Sequence, residues 1–224
     1  NPTYGSVYVQ DKLEMSDLIV KAGLRLDIMD SDDRQFRDFI DYDGVYGVPG
    51  AHYSSTNPLQ TRSNEIIPAG MEKKPAFKQV SPRIGFSFPV TDRTQFHVQY
   101  GKFIQSPQLS TIYAGRGYSS VIFSGQNFIA QPVGYGLDPE RATQYEIGFT
   151  QQFSDYAVVD LTGFYKDILG QIQIAKINTD AGVIAQAYNT LQNGDYATTK
   201  GLEVHVGLRR VSRVQAQINY TLSD

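Results

Sequence analysis

Leu18-Ile19-Val20-Lys21-Ala22-Gly23-Leu24-Arg25-Leu26-Asp27-Ile28 is the stretch that decides the fold. Leu18, Val20, Ala22, Leu24, Leu26 and Ile28 form one series. Lys21, Gly23, Arg25 and Asp27 form the other, with Ile19 as its one apolar exception. Successive side chains of a strand point to opposite faces, so this ribbon has an oily side and a wet side.

The same period recurs along the chain. Ile84, Phe86, Phe88 and Val90 alternate with Arg83, Gly85 and Ser87; Phe96, Val98 and Tyr100 alternate with His97, Gln99 and Gly101. Tyr145, Ile147, Phe149 and Phe153 alternate with Gln144, Glu146, Gly148 and Thr150. Leu161, Gly163 and Tyr165 oppose Asp160, Thr162 and Lys166, and Leu202, Val204, Val206 and Leu208 oppose Glu203, His205 and Gly207. Val214, Ala216, Ile218, Tyr220 and Leu222 complete the pattern, and Tyr4–Leu13 reads as a weaker strand whose facing the sequence leaves open. About eight strands result.

Turn-forming residues at Glu14–Asp17, Thr91–Thr94, Ser154–Asp155 and Arg209–Arg213 join these strands in pairs. Long segments, roughly Ser31–Ser81, Ser106–Glu140 and Gly170–Thr199, separate the pairs. Short connections at one end and long ones at the other are the habit of outer-membrane barrels. A soluble β-sandwich, whose loops are short at both ends, is the rival reading. Aromatic residues gather near the short turns (Phe88, Phe96, Phe153, Tyr156) and toward the long segments (Tyr100, Phe103, Tyr165), as two interfacial girdles would.

Composition narrows the function classes. The 224 residues include 15 Tyr, 12 Phe and 20 Gly, which suits strands and turns. A net charge of −3 without a basic block gives a nucleic-acid partner no electrostatic support. Cysteine is absent, so disulfides, thiolate metal sites and a cysteine nucleophile are excluded. No apolar run is long enough for a transmembrane helix, which leaves a strand-built membrane protein open. Asn1 is preceded by no initiator Met or signal peptide, which reads as processing or an internal fragment.

Several motifs resemble TonB-dependent outer-membrane receptors, especially the Oar-like group. Tyr8-Val9-Gln10-Asp11 followed by Ala22-Gly23-Leu24-Arg25-Leu26-Asp27 is similar to that family's YxQD…GLRxD hairpin. Ser81-Pro82-Arg83-Ile84-Gly85-Phe86 resembles its SPRxGxxY strand, and Leu137-Asp138-Pro139-Glu140 with Tyr145-Glu146-Ile147-Gly148 its LxPExxxxYExG segment. Phe164-Tyr165-Lys166-Asp167-Ile168, Lys200-Gly201-Leu202-Glu203 and Tyr220-Thr221-Leu222-Ser223 extend the likeness. The resemblance implies an all-β, antiparallel, up-and-down transmembrane barrel segment over residues 1–224. It would be about eight strands of a barrel of about 22, with the plug domain and C-terminal strands lying elsewhere. It further implies outer-membrane active uptake of a scarce solute such as a siderophore, vitamin, glycan or peptide, in a Gram-negative-type bacterium. Expected partners are outer-membrane lipid, the plug of the same full-length chain, the TonB complex and an extracellular solute. A complete eight-stranded barrel, a passive porin and a soluble β-sandwich binding module are the alternatives.

No catalytic residue, cofactor or metal site is expected. Asp30, Ser31, Asp32 and Asp33, with Asp41 and Asp43, lack the spacing of a calcium loop and read as a solvated loop. His52, His97 and His205 are not at metal-ligand spacing. Lumen-side charges such as Glu146, Asp160 and Glu203 need no hydrolytic role on the wet face of a barrel. The ligand-contact candidates are Tyr113, Arg116, Tyr118 and Phe123, because aromatic and Arg side chains on long loops commonly supply binding energy. Lys102 lies on the outward face at a loop end, where it can reach headgroups.

Overall fold

A computed structural model describes residues 1–36, 71–115, 128–178, 187–211 and 213–224. In chain order its elements are β1 (Thr3–Met15), β2 (Leu18–Asp30), β3 (Arg34–Phe36), β4 (Met71–Lys73), β5 (Phe77–Thr91), β6 (Thr94–Gln105), α1 (Leu109–Ile112), β7 (Phe128–Gly134), β8 (Glu140–Gln152), β9 (Ala157–Asn178), β10 (Ala187–Val211) and β11 (Val214–Ser223). Eight of the strands form one antiparallel meander in the order β1-β2-β5-β6-β8-β9-β10-β11. Each alternating segment of the sequence occupies one of them. β3 and β4 make a separate two-stranded ribbon, and β7 lies parallel to β10 at the meander's margin.

The register carries the alternation from strand to strand. Val20 stands opposite Phe86, Phe86 opposite Val98, Val98 opposite Ile147, Ile147 opposite Gly163, Gly163 opposite Leu202 and Leu202 opposite Leu222. Direct cross-strand partners share a face, so this is a continuous apolar row. It is not packed against a second sheet: Ile147 is 54% exposed and Ile218 62%. The core that the rival sandwich would need is therefore absent among the described residues. Buried apolar side chains there are Met29, Ile112, Val133, Tyr135 and Leu137, all toward the end with the long connections.

Register also settles β1. Ser6 opposes Asp27, Tyr8 opposes Arg25 and Lys12 opposes Lys21, so Tyr4, Ser6, Tyr8, Gln10 and Lys12 take the wet face. Val7, Val9 and Leu13 oppose Leu26, Leu24 and Val20 on the oily one.

Two of the short turns are closed by local hydroxyl bonds. Thr91 and Thr94 join their hydroxyls at 2.8 Å around Asp92-Arg93. The Ser154 hydroxyl accepts from the backbone N–H groups of Tyr156 and Ala157 at 3.3 and 3.2 Å. Such side-chain bonds stand in for ladder bonds where the chain reverses.

Two expectations change. The segment Gly170–Thr199 is mostly strand: β9 and β10 have 22 and 25 residues and stay paired to Asn178 and Ala187. A strand of about 9–11 residues spans a bilayer, so this hairpin projects well past the apolar band. Phe103 belongs to the inner face and not to a girdle: its ring sits beneath the Arg83 guanidinium at 4.5 Å. The period-2 count from Gly101 already places it there, because residues 101 and 103 share a side.

The outward girdles are otherwise as expected. Tyr100, Tyr145 and Tyr165 form a ladder with ring centroids 5.2 and 6.2 Å apart. Phe88 and Phe96 pair at 5.0 Å nearer the short turns. From Tyr145 to Phe153 the strand advances about 26 Å, or about 20 Å along the barrel axis at a tilt near 40°, close to the apolar band height of such barrels.

Candidate functional site

The polar series of the strands lines a concave face with a cavity of about 720 Å³ bounded by residues of β1, β2, β5, β6 and β8. Its polar groups are knit across strands. The Tyr4 hydroxyl donates to Asp27 Oδ1 at 2.6 Å, and Arg25 Nε donates to the same carboxylate at 2.8 Å. Arg25 Nη2 also reaches Ser6 Oγ at 2.9 Å. Asp27 is only 2% exposed, so this cluster satisfies a charge that burial would otherwise penalise.

Farther round the wall, Thr150 donates to Asp160 Oδ1 at 2.5 Å, and His205 Nδ1 lies 2.8 Å from Asp160 Oδ2. His205 is thus a hydrogen-bonded wall residue. His97 faces Gly148, where an added Cβ would come within 2.7 Å of the imidazole and 2.6 Å of the Leu161 carbonyl oxygen. Gly148 is required there by close approach.

A second structured region lies at the end with the long connections, and it is built from the β6–β8 connection. α1, Tyr135 and Leu137 of this connection carry most of the buried apolar groups. Gly134 packs on α1 and donates its N–H to the Ala114 carbonyl at 2.8 Å. The Tyr113 hydroxyl donates to the Ser31 carbonyl at 2.6 Å, and Gly136 N–H donates to Asp33 Oδ2 at 3.2 Å. Both Ser31 and Asp33 are buried. Lys74, 7% exposed, pairs with Asp138. On the other side, Thr190 donates to the Val133 carbonyl at 3.1 Å, and Asn193 binds the backbone of Asp138.

These contacts define a strap. β2 and β10 are five positions apart in the sheet, about 24 Å along its surface. Yet Gly136 touches the segment following β2, and Asp138, two residues on, touches β10. The connection therefore crosses the hollow side of the curled sheet.

Of the ligand-contact candidates, Tyr113 is placed in this strap, where its hydroxyl is engaged by the backbone after β2. Arg116, Tyr118 and Phe123 lie outside the described residues, as do Asp41, Asp43 and His52. Asp33 serves the strap, Asp30 accepts the Asp32 N–H at 2.8 Å, and no three-residue metal cluster is found among the described residues. Sequence reasoning missed Asn193, Thr190 and the buried Lys74; their roles depend on contacts more than 50 residues away in the chain.

A single-layer curled sheet, oily outside and polar within, is the wall of a barrel. The family model described as TonB dependent receptor-like, beta-barrel matches residues 1–224. The chain belongs to the TonB-dependent receptor β-barrel family. No curated protein matches the chain. Among solved structures it is similar to the FrpB iron transporter of Neisseria meningitidis (16% identity, TM-score 0.54), covering 99% of this chain and 26% of that one. It is also similar to a ferric enterobactin receptor (PfeA) mutant of Pseudomonas aeruginosa, at 19% identity and a TM-score of 0.62, covering 99% and 26%. The siderophore receptor PirA of the same organism gives 16%, 0.60, 99% and 34%. At these identities the structures speak to the fold. The chain spans about a quarter to a third of their lengths. TonB-dependent receptor barrels are outer-membrane proteins of Gram-negative bacteria, and the family is one of receptors and transporters.

Proposed function

We propose that this chain is part of the barrel wall of an outer-membrane importer, which captures a scarce solute outside the cell and passes it to the periplasm. The observation that carries this is the register-wide separation of an exposed apolar face from a hydrogen-bonded polar face, in a chain matched over its whole length by the receptor-barrel family. In lipid every strand N–H and C=O must be paired within the protein, and a continuous antiparallel wall does this. A plug domain of the same full-length chain fills the lumen, and the TonB complex supplies energy from the inner-membrane proton gradient. The wall carries out no covalent chemistry. Solute contacts fall to the long connections, including Tyr113 and the segment of Arg116, Tyr118 and Phe123.

The cargo is a siderophore, vitamin, glycan or peptide. The test is uptake by cells that carry or lack the full-length gene, across a panel of labelled solutes of these classes. One solute should enter only with the gene and only while the proton gradient is intact. Uptake that survives collapse of the gradient points instead to a passive pore, and recovery of the protein in the soluble fraction rejects the reading.

A further inference from the structure

On the outward face, the register stacks polar rows above the tyrosine ladder, at the end with the long connections. Tyr100, Tyr145 and Tyr165 make the lowest row. In the next, Lys102 stands directly opposite Thr143. In the third, Arg141 stands opposite Leu169, and Leu169 opposite Tyr196. Lys102 and Arg141 are therefore diagonal neighbours on adjacent strands, about 7–8 Å apart, with the Thr143 side chain beside both.

This pair of like charges is not balanced within the wall. Among the described residues neither Lys102 nor Arg141 forms an ion pair. The acid nearest in register is Asp167, opposite Thr143, and it is engaged on its far side, where it accepts the Thr198 hydroxyl at 3.0 Å. Lys200 lies farther round the wall, and Asp224 faces it across the ladder, so that pair adds no excess. Neighbouring like charges repel, and an anion between them removes the repulsion. Arg141 offers a planar fork of N–H donors, Lys102 a mobile ammonium and Thr143 a hydroxyl, which together suit a phosphate.

Height decides which lipid carries that phosphate. Arg141 and Leu169 each lie four residues beyond the tyrosine of their own strand. That is about 13 Å along the strand, or about 10 Å along the barrel axis. A phospholipid headgroup layer is only about 5–8 Å deep on each side of the bilayer. The third row therefore stands at or above such a layer. Yet it carries an apolar pair open to its surroundings, with Leu169 53% and Tyr196 73% exposed. A headgroup extended by sugar rings reaches this height, and the Tyr196 ring gives those rings an apolar face with a polar tip.

We propose that Lys102, Thr143 and Arg141 seat a phosphate of an outer-leaflet glycolipid, whose sugars lie against Leu169 and Tyr196. The β6–β8–β9–β10 sector is then a specific lipid site on the outside of the wall. It requires the outer-membrane barrel and not the importer reading, so either can fail without the other.

The experiment uses the full-length receptor, stripped of lipid in detergent. The probes are lipopolysaccharide, the same material after phosphatase treatment, and phosphatidylglycerol, each in micelles. The unaltered receptor should bind the phosphorylated glycolipid about tenfold more tightly than the dephosphorylated one. Lys102→Gln/Arg141→Gln should abolish that difference, while the exchange Lys102→Arg/Arg141→Lys should keep most of it. Arg141→Gln alone, at an exposed position, should lose severalfold, so the test survives a double variant that fails to fold. Tyr196→Ala should weaken intact lipopolysaccharide severalfold and leave its sugar-stripped lipid portion unaffected. The proposal is overturned if the glutamine variants bind the phosphorylated probe as the unaltered receptor does. It is equally overturned if phosphatidylglycerol binds as tightly as the glycolipid, because the cations then serve any anionic headgroup.

Discussion

Asn193 and Asp138 exchange a reciprocal pair of hydrogen bonds: Asp138 N–H donates to Asn193 Oδ1 at 2.7 Å, and Asn193 Nδ2 donates to the Asp138 carbonyl at 2.8 Å. The same Nδ2 reaches the Gly170 carbonyl at 2.8 Å, so one side chain ties the strap to β9 where its register with β10 shifts. Asn193→Ala removes all three bonds. Local opening of residues 135–139 should become easier by about 2 kcal/mol, roughly 30-fold faster amide exchange. Amides of β6 and β8 should exchange as before. Hydrogen–deuterium exchange checks this, and uniform acceleration across the sheet would contradict it.

Lys74 and Asp138 form an uneven pair, with the lysine buried and the aspartate half exposed. Removing the acid strands a buried ammonium, whereas removing the lysine leaves an acid that water can solvate. Asp138→Ala should therefore cost more than Lys74→Met, by about 1–2 kcal/mol after allowance for solvent screening. Lys74→Met/Asp138→Ala should lie near Lys74→Met alone. Thermal unfolding of the four proteins in detergent gives the cycle, and simple additivity would deny the pair any coupling.

Ile147 and Gln99 test the two faces. Ile147 sits in the mid-height outward row, and Gln99 borders the inner cavity. Ile147→Arg should destabilise the folded barrel in lipid vesicles by about 2–4 kcal/mol, while Gln99→Arg should change it by much less. Equal effects of the two substitutions would mean that the faces are not lipid and lumen.

Gly148 and Gly163 are both strand glycines, but only one is crowded. A Cβ at Gly148 meets a carbonyl oxygen at 2.6 Å, while at Gly163 the nearest atoms are 3.8 Å away. Gly148→Ala should cost about 1–3 kcal/mol through overpacking. Gly163→Ala should be neutral or mildly stabilising, because it restricts the unfolded chain. Paired denaturation midpoints decide it.

The wall was legible in the sequence because its signal is local. A strand facing lipid on one side and water on the other must alternate, so Leu18–Ile28 or Val214–Leu222 can be read without knowing their partners. Turn chemistry at Thr91–Thr94 then sets the hairpins. β1 was ambiguous because both of its series mix apolar and polar residues; only pairing with β2 shows Tyr8 beside Arg25. The upper part of β9 and β10 reads as a long connection in the sequence, and it contains the turn-like residues Gly170 and Asn193-Gly194. Here they are bulges that shift the register between Asn193 and Tyr196 while pairing continues. The strap was invisible: Tyr113 shows an aromatic on a long connection, but its partner Ser31 lies 82 residues away. Ser81, too, looks like an ordinary inward serine until burial leaves its hydroxyl with no partner among the described residues.

The strap has a mechanical consequence. It is a chord drawn across an arch, anchored at Ser31 and Asp33 on one side and at Thr190 and Asn193 on the other. Spreading the arch lengthens the chord, so this sector of the rim cannot dilate until those anchors break. Widening of this sector is therefore paid in hydrogen bonds at its two feet.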